Sequence, residues 1–233
     1  MAPSTNAPAN PSTPISPPSN PPPSAPAPAV FTSPQGFSIT PPDGWVVASK
    51  DTIHQVGNTV QTMFPKLVNF DLSKLAVAIL NPADSGQTNL NVVVSEGKTS
   101  IDGSGIEEKF AGMLRDQYNQ MGISLDRISV TRQVFGTHTA LVADIEWNKA
   151  GLPSPIRAWQ VVLPAGAHTL IVTCTGNQSS FDNFAPVFTK AIASMTYSNF
   201  AVPDWLQSAL VGGIIGGLIG GLSLFLSPSR KKK

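Results

Sequence analysis

The segment 205–226 (WLQSALVGGIIGGLIGGLSLFL) constrains this chain more than any other, because it runs 22 residues without a charged side chain. As an α-helix rising ~1.5 Å per residue it would reach about 33 Å, close to the ~30 Å hydrocarbon core of a bilayer. Six of ten consecutive residues in it are glycine. In water each glycine costs a helix about 1 kcal/mol relative to alanine, whereas in hydrocarbon the backbone can bond only to itself. The expectation is a transmembrane helix, with Trp205 at one interface and Arg230, Lys231, Lys232 and Lys233 among headgroups at the other. Gly212, Gly216 and Gly220 form one small-residue ridge, and Gly213, Gly217 and Gly221 form its neighbour. Such paired ridges let a second helix approach closely, so self-association through this helix is expected.

Residues 1–30 are the opposite extreme, holding 11 of the 22 prolines and no charged side chain. They lack the apolar residues needed to offset ordering entropy. Proline fixes φ and favours extended polyproline II, so the segment reads as a disordered, semi-rigid leader. Its PxxP spacings, Pro8 with Pro11 and Pro18 with Pro21, come without the basic residue that SH3-type ligands add. With no basic n-region and no apolar h-region it does not read as a secretory signal.

Between these ends, residues 31–198 are expected to form one α+β domain, followed by a short linker over 199–204. Residues 227–233 form a basic tail after the span. From 31 to 204 there are 11 basic against 14 acidic residues, a formal −3. A mildly acidic domain has no basic face with which to neutralise phosphates, which excludes nucleic acid as a partner. A stretch of this length needs neither metal nor disulfide to fold. The lone Cys174 has no internal partner, and its apolar setting predicts a buried thiol.

Within the domain, residues 36–40 alternate and meet the turn Pro41-Pro42-Asp43-Gly44, after which Trp45-Val46-Val47 reads as a short strand. Residues 51–64 have helical spacing interrupted by Gly57 and ended by Pro65. Residues 75–80 and 90–94 read as strands, the latter rich in β-branched side chains. A helix is predicted over 105–121, capped by a box of Ser104 and Glu107 and stopped by Gly122. Its apolar stripe is Ile106, Phe110, Met113, Leu114 and Met121.

Four strands follow, 128–134 paired with 140–147 across Gly136, and 156–163 paired with 169–174 across residues 164–166. Leu141, Ala143, Ile145 and Trp147 share one face of their strand, with Asp144 and Glu146 on the other. A closing helix over 181–195 is expected to bury Phe181, Phe184, Phe188, Ile192 and Met195. The order predicts an α+β fold, an antiparallel sheet packed with helices, plus the one C-terminal transmembrane helix.

The opening GFSITPPDGW, the strand LAVAILNP, the midchain helix and the antiparallel run closed by a helix resemble the PsbP-like superfamily over 31–198. That resemblance implies an antiparallel sheet with helices on it and a non-enzymatic, partner-binding role. It carries no site residues, because no functional motif of the family is present to match. The proline-rich leader and the C-terminal span depart from the photosynthetic members and speak against a photosystem role.

The residues that carry chemistry give little. His54, His138 and His168 lack zinc-ligand spacing from one another or from Cys174, and neither a G-x-S-x-G elbow nor a phosphate loop occurs. The run Gly103-Ser104-Gly105 precedes a helix whose Glu107 and Glu108 already neutralise its positive end. Asp144 and Glu146 read first as a solvated polar face; the other readings are that they join a cation site or pair with a base. Trp147 and Trp159 are expected in core packing. No catalytic residue, metal or cofactor is expected.

The function expected is a single-pass membrane-anchored, non-enzymatic protein whose domain docks a protein partner. The basic tail argues for a cytoplasmic C-terminus with the domain outside, the missing signal for a tail anchor with the domain on the cytoplasmic face, and the second is slightly favoured. Membrane lipid and a second copy contact its helix. The other reading is an envelope module that binds a small apolar ligand or lipid between sheet and helices.

Overall fold

The computed structural model describes residues 29–49, 51–55, 75–97, 99–148, 152 and 154–197. The elements bounded within them are β1 (Phe31–Thr32), β2 (Phe37–Ile39), β3 (Val46–Val47), β4 (Leu75–Leu80), β5 (Asn89–Glu96), α1 (Ile106–Gln120), β6 (Leu125–Phe135), β7 (His138–Trp147), β8 (Ile156–Ala165), β9 (His168–Asn177), α2 (Phe181–Ala193) and β10 (Thr196–Tyr197), and residues 51–55 are helical as well. A single 3₁₀ turn, Pro82–Asp84, leads from β4 to β5.

Seven strands form the main sheet in the order β3-β4-β5-β9-β8-β7-β6, every neighbouring pair antiparallel. β9 is the middle strand, and all its residues from His168 to Gly176 are buried. That explains its near-continuous apolar and threonine run, since both faces of a central strand are covered. β6 lies at one edge, where buried or half-buried positions recur between exposed ones. β8 tolerates Pro164 because its pairing with β7 ends at Val162, so the missing N–H is not needed on that side.

The two faces of the sheet hold separate cores. α1 lays Phe110, Leu114 and Tyr118 over Leu141, Ala143, Ile145 and Trp147. On the opposite face α2 lays Phe181, Phe188 and Ile192 over Val142, Val161, Leu163 and Val172. The small antiparallel sheet β1-β2-β10 closes this second core with Phe37 and Ile39. Each large apolar side chain so buried contributes about 1.5–3 kcal/mol, which is what orients α2 and the turn before β3.

Several expectations are corrected. Ser104 does not cap α1: the N-cap residue is Gly105 in the left-handed region, with no side-chain cap bond. Glu107 instead pairs with Arg132 on β6 at 3.0 Å, a long-range ion pair that outcompetes the local box. The stripe of α1 runs through Phe110, Ala111, Leu114 and Tyr118, while Met113 is 40% exposed. The closing helix stops at Ala193, two residues short of the expected end.

The fold class is corrected as well. An antiparallel sheet packed against helices is present, but among the described residues no helix is long and apolar enough to cross a membrane. α1 has 15 residues and α2 has 13, each with one apolar face. At ~1.5 Å per residue both are roughly 20 Å long, short of the ~30 Å a span requires. The described fold therefore gives no support to the anchored, partner-docking function, to single-pass localisation on a cytoplasmic face, or to lipid and self-association partners. The expected helix over 205–226, with Trp205, Gly212, Gly213, Gly216, Gly217, Gly220, Gly221, Arg230, Lys231, Lys232 and Lys233, lies outside the described residues, as does the leader to residue 28.

Candidate functional site

The turn between β2 and β3 passes from the small sheet to the large one. The Trp45 N–H donates to Pro42 O at 3.0 Å, and Gly44, at φ 78, occupies the third position. A type II turn demands a positive φ there, which is why glycine follows Pro-Asp. The preceding Thr40 N–H donates to Ser194 Oγ at 2.9 Å, fixing the turn to the C-terminal end of α2.

So held, Trp45 projects onto α2. Its indole meets Phe184 edge to face at 6.3 Å and Phe188 at 5.9 Å with planes at 90°. A cleft of about 320 Å³ opens between the turn and the last two turns of α2. Pro41, Pro42, Trp45, Val187 and Ala191 form its apolar wall, and the exposed Asp43 and Lys190 stand at its rim. A second cleft of about 380 Å³ lies on the other side of the same turn, sharing Pro41, Pro42 and Trp45 and continuing to Val47, Val30 and Ala29. Proline and tryptophan walls offer rigid apolar surface with few rotors to order on binding.

At the other end of this sheet face, Asp144 and Glu146 resolve into pairing with bases. Arg157 donates to both oxygens of Asp144, Nε to Oδ1 at 2.9 Å and Nη2 to Oδ2 at 2.7 Å. Arg127 reaches Glu146 at 2.6 Å and Asp144 at 3.2 Å. Arg157 Nη1 also donates to Asp182 at 2.9 Å, and its guanidinium sits 4.9 Å over the Phe181 ring. The Asp144 hydrogen bond, opposed by partial burial, holds the Arg157 guanidinium above its ordinary range. Two guanidiniums already occupy these carboxylates, so a cation would have to displace them.

The other candidates fall apart in space or into the core. Among the described residues no group of three His, Cys, Asp or Glu side chains is placed to hold a metal ion. His54 is exposed and His168 is buried. His138 bonds Met195 O through Nε2 at 2.8 Å and Tyr197 Oη through Nδ1 at 3.2 Å, which ties β7 to β10. Cys174 is buried, as expected, and burial pushes its thiol well above the usual range. Trp147 is in the core; Trp159 is half-buried on the opposite face, 5.4 Å from Phe181. Ser104 is exposed.

The cleft was invisible to sequence reasoning. The signal available was the Pro-Pro-Asp-Gly-Trp turn, but its partners on α2 lie at the far end of the chain.

Fold and site define an α+β domain of two antiparallel sheets layered with helices, with an aromatic and proline-walled cleft on one helix. No protein-family model matches the sequence, and no curated protein matches it. Among solved structures, cyanobacterial PsbP (CyanoP) from Synechocystis sp. PCC 6803 is similar over 73% of this chain and 92% of its own, at 12% identity and a TM-score of 0.48. A protein of Bacteroides thetaiotaomicron VPI-5482 is similar over 73% of this chain at 13% identity and a TM-score of 0.44, and the chain spans 48% of that protein's length. LpqN of Mycobacterium tuberculosis, involved in cell envelope biogenesis, is similar over 70% of this chain and 83% of its own, at 11% identity and a TM-score of 0.37. The PsbP-like resemblance is thus one of structure over part of the chain.

Proposed function

We propose that this domain is a non-enzymatic binding module that takes a small apolar or amphipathic ligand, such as a lipid chain, in the cleft between the Pro41–Pro42 turn and α2. The observation that carries it is the cleft of about 320 Å³ walled by Pro41, Pro42, Trp45, Val187 and Ala191. That volume is at the lower end of small-molecule sites, which are mostly apolar with a few polar groups fixing orientation. Asp43 and Lys190 at the rim supply such groups, so the ligand expected has an apolar body and a polar head. The test is a titration of the full chain with the neutral fluorophore N-phenyl-1-naphthylamine. Saturable binding at one site is expected, lost in Val187→Phe, which fills the cleft, while circular dichroism stays unchanged. Binding that never saturates, or that Val187→Phe leaves intact, overturns the reading.

A further inference from the structure

The rim of the ligand cleft carries both signs of charge. Asp43 stands on the turn side and Lys190 on the helix side, both exposed, and they are the charged groups among the described residues that line it. Neither enters an ion pair among the described residues, with the other or with a third group; the pairs there gather around Arg127, Arg132 and Arg157. Both positions are set by the backbone. Asp43 lies between Pro42 and Gly44 in the turn that the Trp45 N–H closes on Pro42 O. Lys190 falls in the last turn of α2, where the carbonyl end of the helix favours a cation. Of the neutral polar side chains in the lining, Ser194 is already engaged: its Oγ donates to Ala191 O at 2.7 Å and accepts the Thr40 N–H at 2.9 Å. Recognition of a polar head at this mouth therefore falls chiefly to the two charges.

A head of one sign meets one attraction and one repulsion there. An anion drawn to Lys190 faces the Asp43 carboxylate, and a cation drawn to Asp43 faces the Lys190 ammonium. An uncharged head gains neither attraction. A head that holds a cationic and an anionic group gains both.

We propose that the cleft selects a single-chain amphiphile with a zwitterionic head, its cationic group at Asp43, its anionic group at Lys190 and its chain against Pro41, Pro42, Trp45 and Val187. This rests on the reading of the cleft as a site for an apolar ligand and adds to it the charge of the head. Because both side chains are exposed, each contact changes affinity by no more than about fivefold and weakens as salt rises.

The test is displacement of N-phenyl-1-naphthylamine from the full chain by amphiphiles that share a decyl chain and differ in the head, each below its micelle concentration. They are decylphosphocholine, decyltrimethylammonium, decyl sulfate and decyl maltoside. Decylphosphocholine is expected to displace the fluorophore best, by about threefold to tenfold over each of the others at low salt, with the lead shrinking as salt is added. Charge reversal should redirect the preference: Asp43→Lys toward decyl sulfate and Lys190→Glu toward decyltrimethylammonium, with circular dichroism unchanged in both. Free phosphocholine should displace little, since the chain supplies the apolar contact; displacement equal to that of the decyl compound overturns the assignment. If the fluorophore binds saturably but all four amphiphiles displace it alike, or the reversals leave their order as it was, the head-group assignment is overturned and the ligand reading stands. If fluorophore binding never saturates, the ligand reading itself fails and the assignment falls with it.

Discussion

Trp45 and Phe188 meet edge to face, ring centroids 5.9 Å apart with planes at 90°, although one belongs to the turn entering β3 and the other to the middle of α2. The contact makes one residue serve two purposes, closing the second core and walling the cleft. Trp45→Ala deletes this pair and the Phe184 pair, each worth about 0.5–1.5 kcal/mol beyond buried area. A loss near 2 kcal/mol is expected in urea unfolding, with probe affinity down at least about tenfold. Trp45→Phe should recover much of the stability. An unfolding midpoint that Trp45→Ala leaves in place would show that the indole does not hold the turn to the helix.

Alkaline pH probes the two cores separately. Burial alone raises both the Tyr118 phenol under α1 and the Cys174 thiol under α2 above their ordinary ranges. In each case the folded chain keeps a proton that the unfolded chain releases. The stability so linked is complete below the unfolded values, near 8.5 for cysteine and 10 for tyrosine, and is lost as pH rises beyond them. Each group can remove about 1.4 kcal/mol per pH unit. The melting temperature should fall from about pH 8.5 and more steeply above pH 10. Tyr118→Phe should remove most of the second, steeper part and leave the smaller share of Tyr197, whose phenol partial burial also raises; a Tyr118→Phe curve parallel to that of the native chain at pH 11 would contradict the burial argument.

What the sequence displays and what it conceals divide along contact range. The alternation of residues 128–174 shows four strands, and Leu141, Ala143, Ile145 and Trp147 do share one buried face. Those are local regularities, set by the two-residue period of a strand. The helix cap was misread because Glu107 finds Arg132 across the fold instead of its own Ser104. Met113 is exposed and Tyr118, which the expected stripe leaves out, is buried for a related reason. Both fit a helical stripe, and only the packing of α1 on the sheet puts Tyr118 inside and Met113 out. The cleft is the extreme case: Pro41 and Trp45 carry no sign that Val187 and Ala191 will face them.

Two glycines separate backbone strain from packing. Gly44 and Gly136 both have positive φ, 78° and 60°. A Cβ at Gly44 would meet nothing within 4 Å, whereas one at Gly136 would lie 3.4 Å from Ala193 O, at the last residue of α2. Each alanine substitution costs about 1–2 kcal/mol for the left-handed backbone. Gly136→Ala should cost more than Gly44→Ala, because it also presses on the end of α2. Equal losses in parallel denaturant titrations would mean that the helix end yields freely.

Arg157 offers the sharpest test of the ionic cluster. Its side chain is only 15% exposed and Asp144 only 22%, so solvent screens their two-bond pairing less than that of a surface pair. Asp144→Asn leaves Arg157 with Asp182, whose side chain is 83% exposed, and with Glu146 at 3.7 Å. Arg157→Met keeps an apolar stem against Phe181 but leaves Asp144 with Arg127 alone, at 3.2 Å. Each single change takes from a partly buried charge its two-bond partner and leaves it only longer or more exposed ones, which should cost about 2–3 kcal/mol, somewhat below the value for fully buried pairs. The double variant removes both members of the pair, so it should be less destabilised than the sum of the two by about 1–3 kcal/mol. That coupling should persist in 1 M salt, where the Debye length of ~3 Å removes exposed pairs but not this one. Strict additivity of the two losses at low salt would reduce the cluster to surface decoration and leave α2 anchored by its aromatic face alone.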